Sequence, residues 1–231
     1  MGSIIGMLVS LLVILKFIVP QILSGNDPLF ISIIGSIIIM FLTLYLAHGF
    51  SKKTHVALIA TILSLTITGF LAVFFVNLSH LSGLGNEDTY LLQFGGLNIN
   101  LQGILLGGII IGVLGILDDS TTAQSATIFE LFDANNKLTF AHLLKRGMVI
   151  GKEHIASLVN TLVLAYAGTA LGIFILLEVN PAHQPMWVIL NSEVIVEEVV
   201  RTLAGSIGLV LAVPITTLIA VFFCKYKLKF I

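Results

Sequence analysis

The sequence predicts an all-α, polytopic membrane protein of six transmembrane helices, and three observations carry that reading. Hydrophobic residues make up 57% of the chain and charged residues only 10%, where soluble proteins carry roughly 25% charge. The mean hydropathy is +1.09, so lipid is the expected solvent for much of the surface. Six apolar segments, at 3–23, 29–49, 54–77, 101–125, 155–178 and 202–224, each reach the about 20 residues that a span requires.

Each segment is bounded by turn chemistry. The first, "MGSIIGMLVSLLVILKFIVP", lacks a basic leading region and a small-residue cleavage site, and it reads as a retained membrane helix. Lys16 is the only base inside a span; it either pairs with an acid or snorkels to an interface. The connections are "SGNDP" (24–28), "GFSKKTH" (49–55), "SGLGNEDTY" (82–90), "DANNK" (133–137) and "EVNPAHQP" (178–185). Between the fourth and fifth spans, Leu138, Ala141, Leu144 and Met148 recur at helical spacing beside Lys145, Arg146 and Lys152. That pattern predicts a short amphipathic helix on the membrane surface over 138–152, with a solvated linker as the alternative. No stretch is long enough for a soluble domain, so residues 1–231 read as one six-helix transmembrane domain.

Charge sorting gives an orientation. Lys52, Lys53, Lys137, Lys145, Arg146, Lys152, Lys225, Lys227 and Lys229 fall on one side, nine of the eleven basic residues. Asp27, Glu87, Asp88, Glu178, Glu193, Glu197 and Glu198 fall on the other, offset only by Arg201. The excess of Lys and Arg predicts that both termini are cytoplasmic, in a multi-pass protein of the cell membrane. The net charge of −1 argues neither for nucleic acid nor for an acidic partner; no nucleic acid is expected, and the lipid bilayer is the expected partner.

The fourth segment raises the functional question. Residues 103–117 contain no polar side chain, and Asp118 and Asp119 follow at once. On a helical wheel, Gly108, Gly112 and Gly115 lie within about 40° of Asp119, with Thr122 and Ala126 on the same side, whereas Asp118 points about 100° away. Small residues mark close helix approach in membranes. Helix 5 offers His154, Ser157, Thr161, Leu164, Gly168 and Gly172 on one face, with Asn160 beside it. The expectation is therefore that Asp119 faces a polar seam against helix 5. Helix 6 (Thr202, Gly205, Gly208, Ala212, Thr216) and helix 3 (Ala57, Thr61, Ser64, Thr68) carry similar stripes. An intramembrane carboxylate costs about 2.5–3.5 kcal/mol at a span centre, which makes Asp119, and next Asp118, candidates for proton coupling. The alternative places the pair, hydrated, at the inner interface.

Other motifs fail on spacing. "GMVIGKEH" (147–154) misses the phosphate-loop pattern and has Glu153 where a hydroxyl is needed. "AGSIGL" (204–209) lacks the nucleophile elbow. His48, His55, His80, His142, His154 and His183 form no metal pattern. Cys224 is the single cysteine, so no disulfide or cysteine metal site is expected. No metal, no cofactor and no enzymatic activity are expected.

Three stretches carry a resemblance: "NDPLFISIIGSIIIMFLTLYLAHGFSKKTHVALIAT" (26–61), "LGILDDSTTAQSATIFEL" (114–131) and "RGMVIGKEHIASLVNTLVLAYAGTALGIFILL" (146–177). In these the chain resembles the YibE/F-like integral membrane proteins, in the shorter YibF-type form. The family pattern has one acid in helix 4, which aligned through Glu130 and Leu131 is Asp119. The G-x-x-x-D from Gly115 to Asp119 is more distantly similar to the six-span membrane halves of RND-type permeases and the SecD/SecF proteins. That similarity implies proton coupling and work in pairs, as a homodimer or with a longer YibE-type relative. Those halves carry a large exterior domain between spans 1 and 2, here reduced to "SGND". The resemblance thus implies a transporter or export subunit of unassigned substrate; the rival is a non-transporting assembly or scaffold subunit.

Overall fold

A computed structural model describes residues 2–85, 87–94, 99–180 and 183–226. Lys227 and Lys229 of the basic tail lie outside the described residues. All the regular elements among them are helices, as a lipid-facing backbone requires, since a helix satisfies its own N–H and C=O groups. The elements are α1 (Gly2–Val13), a π-helical turn (Ile14–Ile18) and α2 (Val19–Leu23), then α3 (Pro28–His48), α4 (Lys52–Leu78), α5 (Glu87–Phe94), α6 (Leu101–Ala134), α7 (Phe140–Thr169), α8 (Leu171–Val179), α9 (Met186–Leu190) and α10 (Glu193–Tyr226). Among the described residues six helices are long and apolar enough to cross a membrane: Ile4–Leu23, α3, α4, α6, α7 and α10.

The helix starts are written locally. Asp27 accepts from Phe30 N (2.9 Å) with Pro28 in the first turn, and Ser51 accepts from Thr54 N (3.3 Å). Asn100 accepts from Gly103 N (3.0 Å), and Thr139 from His142 N (3.3 Å). Each side chain answers one N–H that a helix start leaves unpaired.

The fourth helix continues through the uncharged "STTAQSAT" to Ala134, because that stretch turns its hydroxyls back on its own helix or into the core rather than breaking it. One correction concerns the next helix. The separate surface helix predicted over 138–152 does not form: α7 runs unbroken from Phe140 to Thr169. Its first turns pack on the bundle. Leu143, Gly147 and Gly151 are buried against α6 and α10, where Ile128, Thr217 and Val213 crowd the glycines.

The centre of the bundle is α4, α6 and α10, with α3 on α6 and α1 on α3. A main apolar core includes Met40, Leu44, Val76, Ile109, Val113 and Leu117; a second, at the lysine-rich end, holds Val56, Ile128, Leu143 and Val221. Glycines let helices touch where Ile18 lies on Gly35, Ser32 on Gly107 and Thr68 on Gly208. The charges separate by end. Lys53 reaches Glu130 (3.9 Å) and Lys225 Nζ donates to Asn136 O (3.3 Å) at one end. Glu193 and Glu197 clasp the loop 82–85 at the other.

Candidate functional site

The α4–α6–α10 interface is a polar seam. Thr61 and Thr121 share a hydroxyl hydrogen bond of 2.6 Å. One turn on, Gln124 Nε2 donates to Thr217 Oγ1 (2.7 Å) and to Gly147 O (3.0 Å), and Ser125 Oγ donates to Lys53 O (2.8 Å). Thr68, Thr216 and Thr217 donate to carbonyls four residues back. The predicted stripes on helices 3 and 6 face this seam except at one end: Ala57, Thr61, Ser64, Thr68, Gly205, Gly208, Ala212 and Thr216 are buried, whereas Thr202 is half-buried on the α7–α8 side. Gln124, a carboxamide 1% exposed, joins three helices and was missed, although an amide inside an uncharged span is a visible signal.

The rotation of α6 is opposite to the one expected. Leu106, Ile110, Leu114, Leu117, Thr121, Gln124 and Ile128 face inward. Asp119 is exposed, and a Cβ at Gly108, Gly112 or Gly115 would meet nothing within 4 Å. The expected seam between Asp119 and helix 5 does not form within the chain. Ser157, Asn160 and Thr161 are exposed on α7, His154 is half-buried, and Gly168 borders open space. The reason is that α7 packs mainly on α10 and meets α6 where Gln124 and Ile128 lie against Gly147 and Gly151. Small residues announce a close contact without saying which chain supplies it.

The two acids therefore differ in surroundings. Asp118 is half-buried against α3, where Thr43 Oγ1 donates to its Oδ2 at 3.5 Å; its Oδ1 is shielded from solvent without a donor among the described residues. Thr122 Oγ1 donates to Asp118 O (2.7 Å), which turns that hydroxyl away from both carboxylates. Asp119 opens instead on a cavity of about 270 Å³ shared with His48, Lys53, Thr54, Thr122 and Ala126. Lys16 is exposed on the π turn of the first span.

A second polar group lies at the acid-rich end. Glu193 Oε1 accepts from Gly83 N (2.8 Å) and Leu84 N (3.3 Å), and Ser82 Oγ lies 2.8 Å away. Glu197, 5% exposed, accepts from Gly85 N (3.0 Å). Arg201 Nη1 is 3.6 Å from Glu198 Oε1. The sequence placed these acids on one side of the membrane but carried no sign of the clasp, because its donors are backbone amides. Among the described residues no group of three or more His, Cys, Asp or Glu gathers to hold a metal.

Six spans around a polar seam, with charge sorted to opposite ends, define a polytopic helical membrane protein. The family model of the YibE/F-like proteins matches residues 1–226. The chain belongs to that family. Neither a curated protein nor a solved structure matches it.

Proposed function

We propose that this chain is a cell-membrane transport or export subunit that works in pairs, with Asp119 as its proton-responsive acid and Asp118 as the second candidate. The observation that carries the reading is the open glycine face of α6: three of its sides are packed, and the fourth presents Gly108, Gly112, Gly115 and Asp119 to empty space. A smooth face of this kind suits close approach by another helix. Exposed Ser157, Asn160 and Thr161 on a span favour protein cover over lipid for the same reason that polar groups avoid hydrocarbon. The occupant in this reading is a second copy or a longer YibE-type relative. Its docking would bury Asp119 beside the cavity that holds His48 and Lys53, and a carboxylate stripped of water gains by taking a proton. With Lys and Arg at the cytoplasmic end, both termini are cytoplasmic and that cavity faces the cytoplasm. The chain moves protons and cargo without catalysing a covalent reaction.

Asp119→Asn tests the coupling. Proton-dependent transport in proteoliposomes, or growth of cells relying on the variant, is expected to fall by about tenfold or more, and Asp118→Asn by less. Full wild-type behaviour in Asp119→Asn removes the coupling role. It would leave the rival reading, a scaffold whose seam only specifies packing, a reading favoured by how completely Thr61, Thr68, Thr216 and Thr217 satisfy one another or their own helices.

Gly112→Leu tests the pairing. Its side chain enters open space, so the single chain is expected to melt as wild type does. The paired form on native mass spectrometry should weaken about tenfold or more, the equivalent of about 1.4 kcal/mol. Unchanged pairing would move the contact elsewhere.

A further inference from the structure

A groove of about 330 Å³ lies between α7–α8 and α10 at the acid-rich end. The helices run antiparallel there. Val163 and Leu203 line it toward the middle of the spans, and Leu177 and Ile195 line it toward the acid-rich end. Ala167 and Ala170 leave the space open where α7 gives way to α8. The walls are almost wholly apolar; the exceptions are Tyr166, Thr202 and Glu198.

Three features select the ligand. Apolar walls inside a span exclude a hydrated ion, so the occupant has an apolar body. The charged side chain on the wall is a carboxylate. Arg201 touches Glu198 at 3.6 Å from outside the groove, so Glu198 is the charge the groove itself presents. The volume holds one small amphiphile, at the lower end of the range for ligand pockets; a two-chain lipid is too large for it.

We infer that this groove binds amphiphilic cations, with the positive head at Glu198 and the apolar tail directed toward Val163 and Leu203. The inference goes beyond the proton-coupling proposal by naming a class of ligand, and it concerns binding, which needs neither Asp119 nor a paired chain.

The test uses the full chain in lipid nanodiscs and two probes with the same tail and opposite heads, hexyltrimethylammonium and hexanesulfonate, read by saturation-transfer NMR against empty discs. The ammonium ion is expected to bind saturably and the sulfonate not to. Glu198→Gln should weaken the ammonium ion about tenfold or more. Leu203→Trp, at a half-exposed position, should abolish binding by filling the end lined by Val163 and Leu203 while leaving every charge in place. Asp119→Asn should bind as wild type does, which separates failure of this site from failure of the coupling role. Equal binding of both probes, binding that survives both groove variants, or no saturable binding at all would overturn the assignment, the last leaving a groove filled only by lipid chains.

Discussion

Gly208→Leu is expected to cost about 3–5 kcal/mol and to leave little folded protein in detergent. Gly208 is where α10 crosses α4. A Cβ there would stand 3.1 Å from Thr68 Cγ2 and 3.2 Å from Thr68 Cβ, with Thr68 Oγ1 closer still. Thr68 cannot rotate away cheaply. It is β-branched, and its hydroxyl donates to Ser64 O at 2.8 Å. The helices must separate instead, and the seam loses its dry contacts around Ala212 and Thr216, both fully buried. Thermal unfolding followed by loss of a monodisperse peak checks this. The double variant Gly208→Ala with Thr68→Ala should recover much of what Gly208→Ala loses, because the clash is pairwise. If Gly208→Leu melts like wild type, α4 and α10 do not meet here.

Much of this bundle was legible before the fold was known, and the reasons are specific. Spans follow from length and hydropathy, because lipid admits only helices that satisfy themselves. Asp27, Ser51, Asn100 and Thr139 mark four helix starts by residue type alone. The hydroxyl stripes on α4 and α10 face the core as read, since hydroxyls inside a span seek protein. The rotation of α6 was not legible, although its stripes were. Its glycines and its Leu, Ile and Thr residues form two competing faces, and either could have been the packed one. Within this chain the bulky face gains more dispersion contacts with α3, α4 and α10, which turns Asp119 outward and Asp118 toward Thr43. Neither could the sequence show that α7 begins inside the bundle. The buried positions Leu143, Gly147 and Gly151 share the spacing of the amphipathic pattern that suggested a surface helix.

Gly83→Ala is the second large expectation, about 3 kcal/mol, and it acts on the acid-rich end alone. Gly83 has φ +86°, a conformation that glycine reaches without strain and alanine does not. Space is also lacking: a Cβ would stand 2.6 Å from Leu101 C and 2.9 Å from Gln102 N. Those are backbone atoms of the first turn of α6 and cannot swing aside. The loop must therefore leave its place, and with it go the amide donors that Ser82, Gly83 and Leu84 give to Glu193. Hydrogen bonds to a charged acceptor contribute about 1.5–3 kcal/mol each when fully made, so the clasp opens as a unit. Hydrogen exchange at the amides of residues 82–85 should rise to the rate of an open loop in Gly83→Ala, with α4 and α6 protection retained near Thr61 and Thr121. Glu193→Gln, which keeps one acceptor oxygen but not the charge, should raise exchange by a smaller factor. Protection that persists in Gly83→Ala would mean that buried Leu81, whose carbonyl accepts from Gln102 Nε2 at 3.0 Å, holds the loop without the acids. Glu197 accepts from Gly85 N on the next turn of α10, so opening the clasp releases both carboxylates together. The first turns of α10 then lose their tie to the loop that joins α4 to α5.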